Sequence, residues 1–145
     1  MKLPEYVTIE EVKRICSEIG LSDWTAITDP IVSSEEASTI LDIVNIKAMA
    51  IPLEAFRKGL EVELEHGTRL EDANVTNNHP ILTGKIVIAH LKESMDYYER
   101  IDIAEIEGDL LKAIQSRNVE KIELKYRKLL EAKNLLNQTI LNQLR

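Results

Sequence analysis

Two helix-start signatures constrain this chain more than any other feature. Thr8-Ile9-Glu10-Glu11 and Ser33-Ser34-Glu35-Glu36 each set a hydroxyl three residues ahead of a glutamate, the pattern in which side chains satisfy the free amides of a helix's first turn. Apolar residues at helical spacing follow both: Val12, Ile15, Cys16 and Ile19 after the first, and Ala37, Ile40, Leu41, Val44, Ala48 and Met49 after the second. Gly20 is a natural stop for the first helix. The second is expected to reach about Ala50, where Pro52 breaks the run and suits the first turn of a third helix. That helix is expected over Leu53 to His66, with Gly67 as its stop.

A polar connection rich in Asn and Thr spans Thr68 to Thr83, and His79-Pro80 has the form of a fourth helix start. The fourth helix is expected to run to about Ile101 and to continue beyond it, with Gly108 marking a bend. A last helix is expected from Val119 to Leu144, where Val119, Ile122, Tyr126, Leu129, Leu136 and Ile140 alternate by three and four and Lys133 interrupts. The expected fold is all-α: a multihelical bundle or array of five to six helices ending in a long C-terminal helix. Residues 1–115 are expected to form the helical domain, and 116–145 the C-terminal helix, packed on the body or mediating self-association.

Composition agrees with that class. Of 145 residues, 44% are hydrophobic and 30% charged, and 4% are aromatic, which favours helix over sheet. The net charge of −7 is unevenly spread, for eight Lys and Arg stand against three Asp and Glu from Lys112 onward. An acidic body with a basic arm is not a general nucleic-acid binder. With one cysteine, Cys16, no internal disulfide forms, and cytoplasmic residence is expected. The sequence has no signal peptide and no apolar run of membrane-spanning length. Trp24, in the loop after the first helix, is expected to be a packing anchor.

The residues that carry chemistry are two Glu/His pairs, Glu63-x-x-His66 and His90-x-x-Glu93. The i, i+3 spacing sets each pair on one helix face. With successive residues about 100° apart, Phe56, Leu60, Leu64 and Gly67 share the apolar face of the third helix. Glu63 lies within that arc and His66 at its margin, while Glu61 and Glu65 point to solvent. In a fourth helix continuing past Ile101, Ile86, Ile101 and Ala104 define the inward direction. His90, Glu93 and Tyr97 share it, and Lys85, Lys92, Asp96 and Glu99 lie outside. Antiparallel packing of the two helices would bring Glu63, His66, His90 and Glu93 together, with Tyr97 able to supply a proton or orient a ligand.

Neutral imidazoles with carboxylates suit zinc, iron or manganese. Glu-x-x-His on facing helices is also how four-helix carboxylate proteins hold paired metals, though those add two further glutamates. No further inward carboxylate is evident here, so a mononuclear site with an open position is the more economical form. Two metal-free readings stand beside it. The four residues could form a satisfied hydrogen-bond network that fixes helix register, or a buried carboxylate could work with His90 as acid and base.

Other signals are weaker. Asp72-x-Asn74-x-Thr76-x-Asn78 resembles a calcium loop but has Asn77 where a glycine belongs and Thr83 where a bidentate acid belongs. Thr83-Gly84-Lys85 lacks the upstream glycines of a phosphate-binding loop. Cys16, among apolar neighbours, reads as a core thiol. Lys121, Lys125, Arg127 and Lys128 are interleaved with Glu120, Glu123 and Glu131, as on a solvated helix with pairs such as Glu123–Arg127.

The stretch from Phe56 to Glu107 resembles a family of small proteins of bacteria, archaea and phages grouped as a domain of unknown function. The residues that carry the resemblance are Phe56 to Gly67 (FRKGLEVELEHG), Asn74-Val75-Thr76, Thr83-Gly84-Lys85-Ile86, Ala89-His90-Leu91-Lys92-Glu93 and Asp96-Tyr97-Tyr98-Glu99-Arg100. Ser94-Met95 departs from the usual segment before Asp96. The resemblance implies no particular activity, but its blocks contain the same Glu and His residues that periodicity selects. The functional expectation is therefore a polar Glu/His/Tyr site between two helices that takes a divalent metal. The alternative is a non-enzymatic interaction module, a homo-oligomer through its C-terminal helix, with the polar cluster purely structural. Neither a membrane nor nucleic acid is expected as a partner.

Overall fold

Both helix-start hydroxyls act as the sequence predicts. In the computed structural model, which describes residues 6–144 without the side chain of Glu71, Thr8 Oγ1 accepts from Glu11 N at 3.2 Å and Ser33 Oγ from Glu36 N at 3.1 Å. They open α1 (Ile9–Glu18) and α2 (Ser34–Val44). Four helices follow: α3 (Leu53–Arg69), α4 (Pro80–Glu93), α5 (Tyr97–Gln115) and α6 (Val119–Gln143). Short 3-10 turns lie at Trp24–Ala26 and Glu71–Ala73, and the described residues contain no strand. The fold is all-α and ends in its longest helix.

Three helix ends differ from the sequence expectation. The helix α2 stops at Val44, not near Ala50. Asn45 follows it and clasps Met49, accepting from its N–H and donating to its carbonyl, both at 2.9 Å, while Ala48 turns left-handed at φ 48°. An amide side chain that bonds the backbone this way outcompetes another helical turn.

The helix α3 does not stop at Gly67 but passes through it to Arg69. Gly67 is there because Asn78 lies against its Cα. An added Cβ would sit 2.7 Å from Asn78 Cγ, closer still to Asn78 Oδ1, and 3.0 Å from Asn74 Nδ2.

The fourth helix does not run to Ile101. It ends at Glu93, Ser94 is extended (φ −155°, ψ 130°), and α5 begins at Tyr97 and continues unbroken through Gly108. The break at Ser94–Asp96 resets the helical phase. Asp96, expected in solvent, is instead only 1% exposed and holds Arg100 in two hydrogen bonds of 2.9 Å.

The chain divides into two compact units, one up to Met95 and one from Asp96. The expected domain boundary at 115/116 falls in the turn between α5 and α6. In the first unit α2, α3 and α4 pack on one another, and α1 reaches α4. Phe56, Leu60 and Leu64 on α3 meet a core that includes Ala37, Ile40 and Val44 of α2 and Val87, Ile88 and Leu91 of α4. Burying each large side chain contributes about 1.5–3 kcal/mol. Gly84 lets α4 approach closely, since a Cβ there would lie 2.7 Å from Ile40 Cγ2. Trp24 is fully buried, a packing anchor as expected, and Cys16 is a free, buried thiol whose pKa burial pushes up.

In the second unit α5 and α6 form an antiparallel hairpin turned by Ser116–Asn118, with Arg117 left-handed at φ 52°. Ala113 and Leu129 are buried on it. Val119 and Tyr126, expected in the packed stripe of α6, are 74% and 55% exposed. Lys125 is the more buried neighbour, its Nζ 2.6 Å from Asp109 Oδ2. Hydrogen bonds from Lys125 and then Lys112 hold the Asp109 carboxyl below its usual range. Lys133, the expected interruption, lies 3.0 Å from Glu107.

Candidate functional site

Glu63 is the centre of what α3 and α4 bring together. One residue before buried Leu64, it stands at the edge of the apolar face of α3, and its side chain is 13% exposed. From α4, His90 brings Nε2 to 3.5 Å from Glu63 Oε1; its side chain is 29% exposed. One turn along α3, His66 brings Nδ1 to 3.8 Å from Glu63 Oε2 and is 58% exposed. These separations are at and beyond the limit of a hydrogen bond.

The tautomer of His66 follows from its other contact. Its Nδ1 lies 3.1 Å from the Glu63 carbonyl oxygen, which can only accept, so Nδ1 carries hydrogen. In the neutral ring Nε2 then keeps its lone pair. A backbone acceptor on one imidazole nitrogen is the usual means of orienting the other toward a ligand.

Glu93 does not join this group. It is the last residue of α4 and is exposed. The inward face of α4 is Thr83, Gly84, Val87, Ile88 and Leu91, whereas Ile86, expected to mark it, is 38% exposed. Carrying one helical phase from Ile86 through Ile101 placed Glu93 inward, and the break after Glu93 removes that premise. Tyr97 opens α5 in the second unit, edge-to-face with Tyr98 at 5.2 Å. Among the described residues, no group of three or more His, Cys, Asp or Glu side chains is arranged to hold a metal ion.

Glu63 and His66 form one wall of a cleft of about 210 Å³. Asn74, Val75 and Thr76 of the α3–α4 connection face them, Asn78 and Gly67 meet at its base, and Thr83 and Ile86 line the α4 side. The lining thus sets one carboxylate, one imidazole, amides and hydroxyls into a surface that is mostly apolar. Its volume is below the ~300 Å³ at which drug-sized ligand sites begin, which suits an ion with its waters or a molecule of few heavy atoms. The asparagines that evoke a calcium loop also hold the connection in place: Asn77 Nδ2 donates to the Val7 carbonyl and Asn78 Nδ2 to that of Trp24. Both are left-handed, at φ 47° and 60°, a conformation asparagine tolerates better than most residues.

Two functional side chains escape periodicity. His79 is 8% exposed and caps α4 through Nδ1, which accepts from Ile81 N at 3.2 Å and Leu82 N at 3.4 Å. Burial lowers its pKa. Its place directly before Pro80 was the available signal, because the residue ahead of a helix's first proline is where a cap belongs. Glu61, expected in solvent, accepts from Val32 N at 3.1 Å and Arg57 Nη1 at 2.6 Å, tying the loop ahead of α2 to α3. Nothing local in the sequence marks that role.

No helix among the described residues is long and apolar enough to cross a membrane. No curated protein and no solved structure matches the chain. A family model does, described as "Protein of unknown function (DUF5661)", over residues 12–107. That match takes in most of α1, all of α2 to α4, the first part of α5, the whole cleft and all of Glu63, His66, His90 and Glu93, and it leaves α6 outside. Covering well over half of the 145 residues, it shows that the chain belongs to this DUF5661 family.

Proposed function

We propose that the first unit is a small-ligand-binding domain whose site is the cleft organised on Glu63, and that a divalent metal is the first occupant to test. One observation carries this reading: a carboxylate only 13% exposed stands in the wall of a cleft with an imidazole on either side, at 3.5 and 3.8 Å. The cleft gives a ligand access to this carboxylate. Two neutral imidazoles and one carboxylate make a donor set that takes zinc, iron or manganese with open positions. His66, more than half exposed, would meet an ion through Nε2, since Nδ1 is engaged by the Glu63 carbonyl.

The test is elemental analysis and thermal unfolding of tag-free protein with zinc, iron or manganese, comparing wild type with Glu63→Gln and His90→Ala. Near-stoichiometric metal that raises the wild-type melting temperature and is lost in both variants supports the reading. Equal metal content and equal melting shifts in all three proteins refute it. A metal-free protein whose stability falls in both variants would make the cluster a structural network.

A second reading rests on a different observation. Leu111, Ile114, Val119, Tyr126, Leu130 and Leu141 on α5 and α6 are each at least half exposed, and exposed apolar residues gathered in a contiguous patch mark interaction surfaces. It makes the C-terminal helix a self-association element and the chain a homo-oligomer. Sizing of full-length Tyr126→Ser/Leu130→Ser against wild type tests it; a wild-type mass equal to one chain counts against it.

A further inference from the structure

A second concavity in the first unit has the opposite electrostatic character. It lies between the turn after α2 and the outer face of α4, has a volume of about 280 Å³, and has Val44, Ile46 and Ile88 as its apolar lining. Asn45, Lys47, Lys85 and Lys92 complete it, and no carboxylate lines it. Lys85, Ile88 and Lys92 follow one another by three and four along α4 and so share one stripe. Lys47 and Ile46 are presented by the turn that Asn45 pins to Met49 with two hydrogen bonds.

The three lysines differ from the arginines described in this unit. Arg14, Arg57 and Arg69 each reach a glutamate within 3 Å. Among the described residues, Lys47, Lys85 and Lys92 have no carboxylate partner, in a chain whose net charge is −7. Like charges gathered around one groove repel each other, and an anion placed among them relieves that repulsion. Ile46, 85% exposed, stands at the same groove where Ile88 is buried. Lysine stems add apolar contact while their ammonium groups remain in water.

We propose that this groove binds a free amphipathic anion: one phosphate or carboxylate head held by Lys47, Lys85 and Lys92, with a short hydrocarbon chain laid over Val44, Ile46 and Ile88. Charge selects the head, and apolar burial supplies affinity that a bare anion lacks. The site is separate from the Glu63 cleft and does not depend on how that cleft is occupied.

Titration calorimetry of the full chain with octyl phosphate below its micelle concentration tests the proposal, beside inorganic phosphate, octanol and vesicles containing an anionic phospholipid. The expected result is saturable binding of one octyl phosphate per chain, weakened about tenfold in Lys85→Gln/Lys92→Gln, given the modest worth of each exposed charge contact. Ile46→Ser is expected to weaken it severalfold, and both variants to melt with the wild type, since these side chains are exposed. Lys47→Gln is a further variant that leaves α4 untouched. Affinity unchanged in the lysine variants, inorganic phosphate or octanol binding as tightly as octyl phosphate, or no saturation would each overturn the proposal. So would binding to vesicles alone, which would assign the lysines to a membrane surface.

Discussion

The two units are built from similar helix-forming residues, yet different forces hold them. In the first, three helices converge, so α3 buries Phe56, Leu60 and Leu64 while meeting both α2 and α4. In the second, two helices share one seam, where Ala113 and Leu129 are buried and Lys125–Asp109 and Lys133–Glu107 bridge the rims. A helix buries a stripe only where another element covers it. The number of layers, more than the apolar content, decides which leucines become core. The difference also bears on function. A third helix lets the first unit enclose a cleft with a near-buried carboxylate, whereas the hairpin offers surface.

The largest expected effect tests that contrast directly. Leu60→Ala removes a fully buried side chain from the three-helix core and is expected to cost about 3 kcal/mol, with Leu129→Ala on the hairpin costing about half as much. Chemical denaturation of both variants gives the ratio. Equal losses would mean that the hairpin is as tightly packed as the core.

Gly67→Ala comes next, with an expected loss of about 2 kcal/mol, because the new Cβ displaces the buried Asn78 amide from the base of the cleft. Combining it with Asn78→Ala removes the clashing group. The double variant is therefore expected to be more stable than the sum of the single losses allows. Simple additivity would show that Asn78 is not what Gly67 accommodates.

The pH dependence of the first unit is expected to trace to His79. Its folded pKa is lowered below the ordinary 6.5 by burial, and its Nδ1 must stay unprotonated to accept from α4. Well above pH 6.5 both folded and unfolded rings are neutral, and the contribution is fully present. As pH falls below 6.5 the unfolded state takes up the proton first, so stability declines. Melting between pH 7.5 and pH 5 is expected to show this decline in wild type and a shallower one in His79→Asn, which keeps a capping acceptor without titrating. Parallel profiles would assign the decline to other groups.

The smallest effect belongs to the hairpin rim. Lys133→Gln removes a pair whose members are both about half exposed and is expected to cost about 0.5 kcal/mol or less, vanishing in high salt. A larger, salt-independent loss would make the rim, not the seam, the element that holds α5 to α6.

What was legible in the sequence was local. Thr8 and Ser33 cap as their spacing predicts because the amides they satisfy lie three residues away. The apolar face of α3 was legible too, although Glu63, expected within it, stands at its edge. The failures occur where a distant or unpatterned group intervenes. Gly67 reads as a helix stop until Asn78, eleven residues on, occupies the space beside it. Glu93 reads as inward until the chain leaves the helix at Ser94. Glu61 reads as solvated although Val32, twenty-nine residues earlier, needs it.

By itself, then, the sequence determined the all-α class, most helix starts, the core face of α3 and the residues worth testing, because each follows from hydrogen bonds and periodicity within a few residues. Only the tertiary structure decided that His90 reaches Glu63 while Glu93 does not, that three lysines gather on one groove, and which leucines of α6 lie in the seam. Those outcomes depend on where helices break and how many layers cover them, and both are set by contacts between residues far apart in the chain.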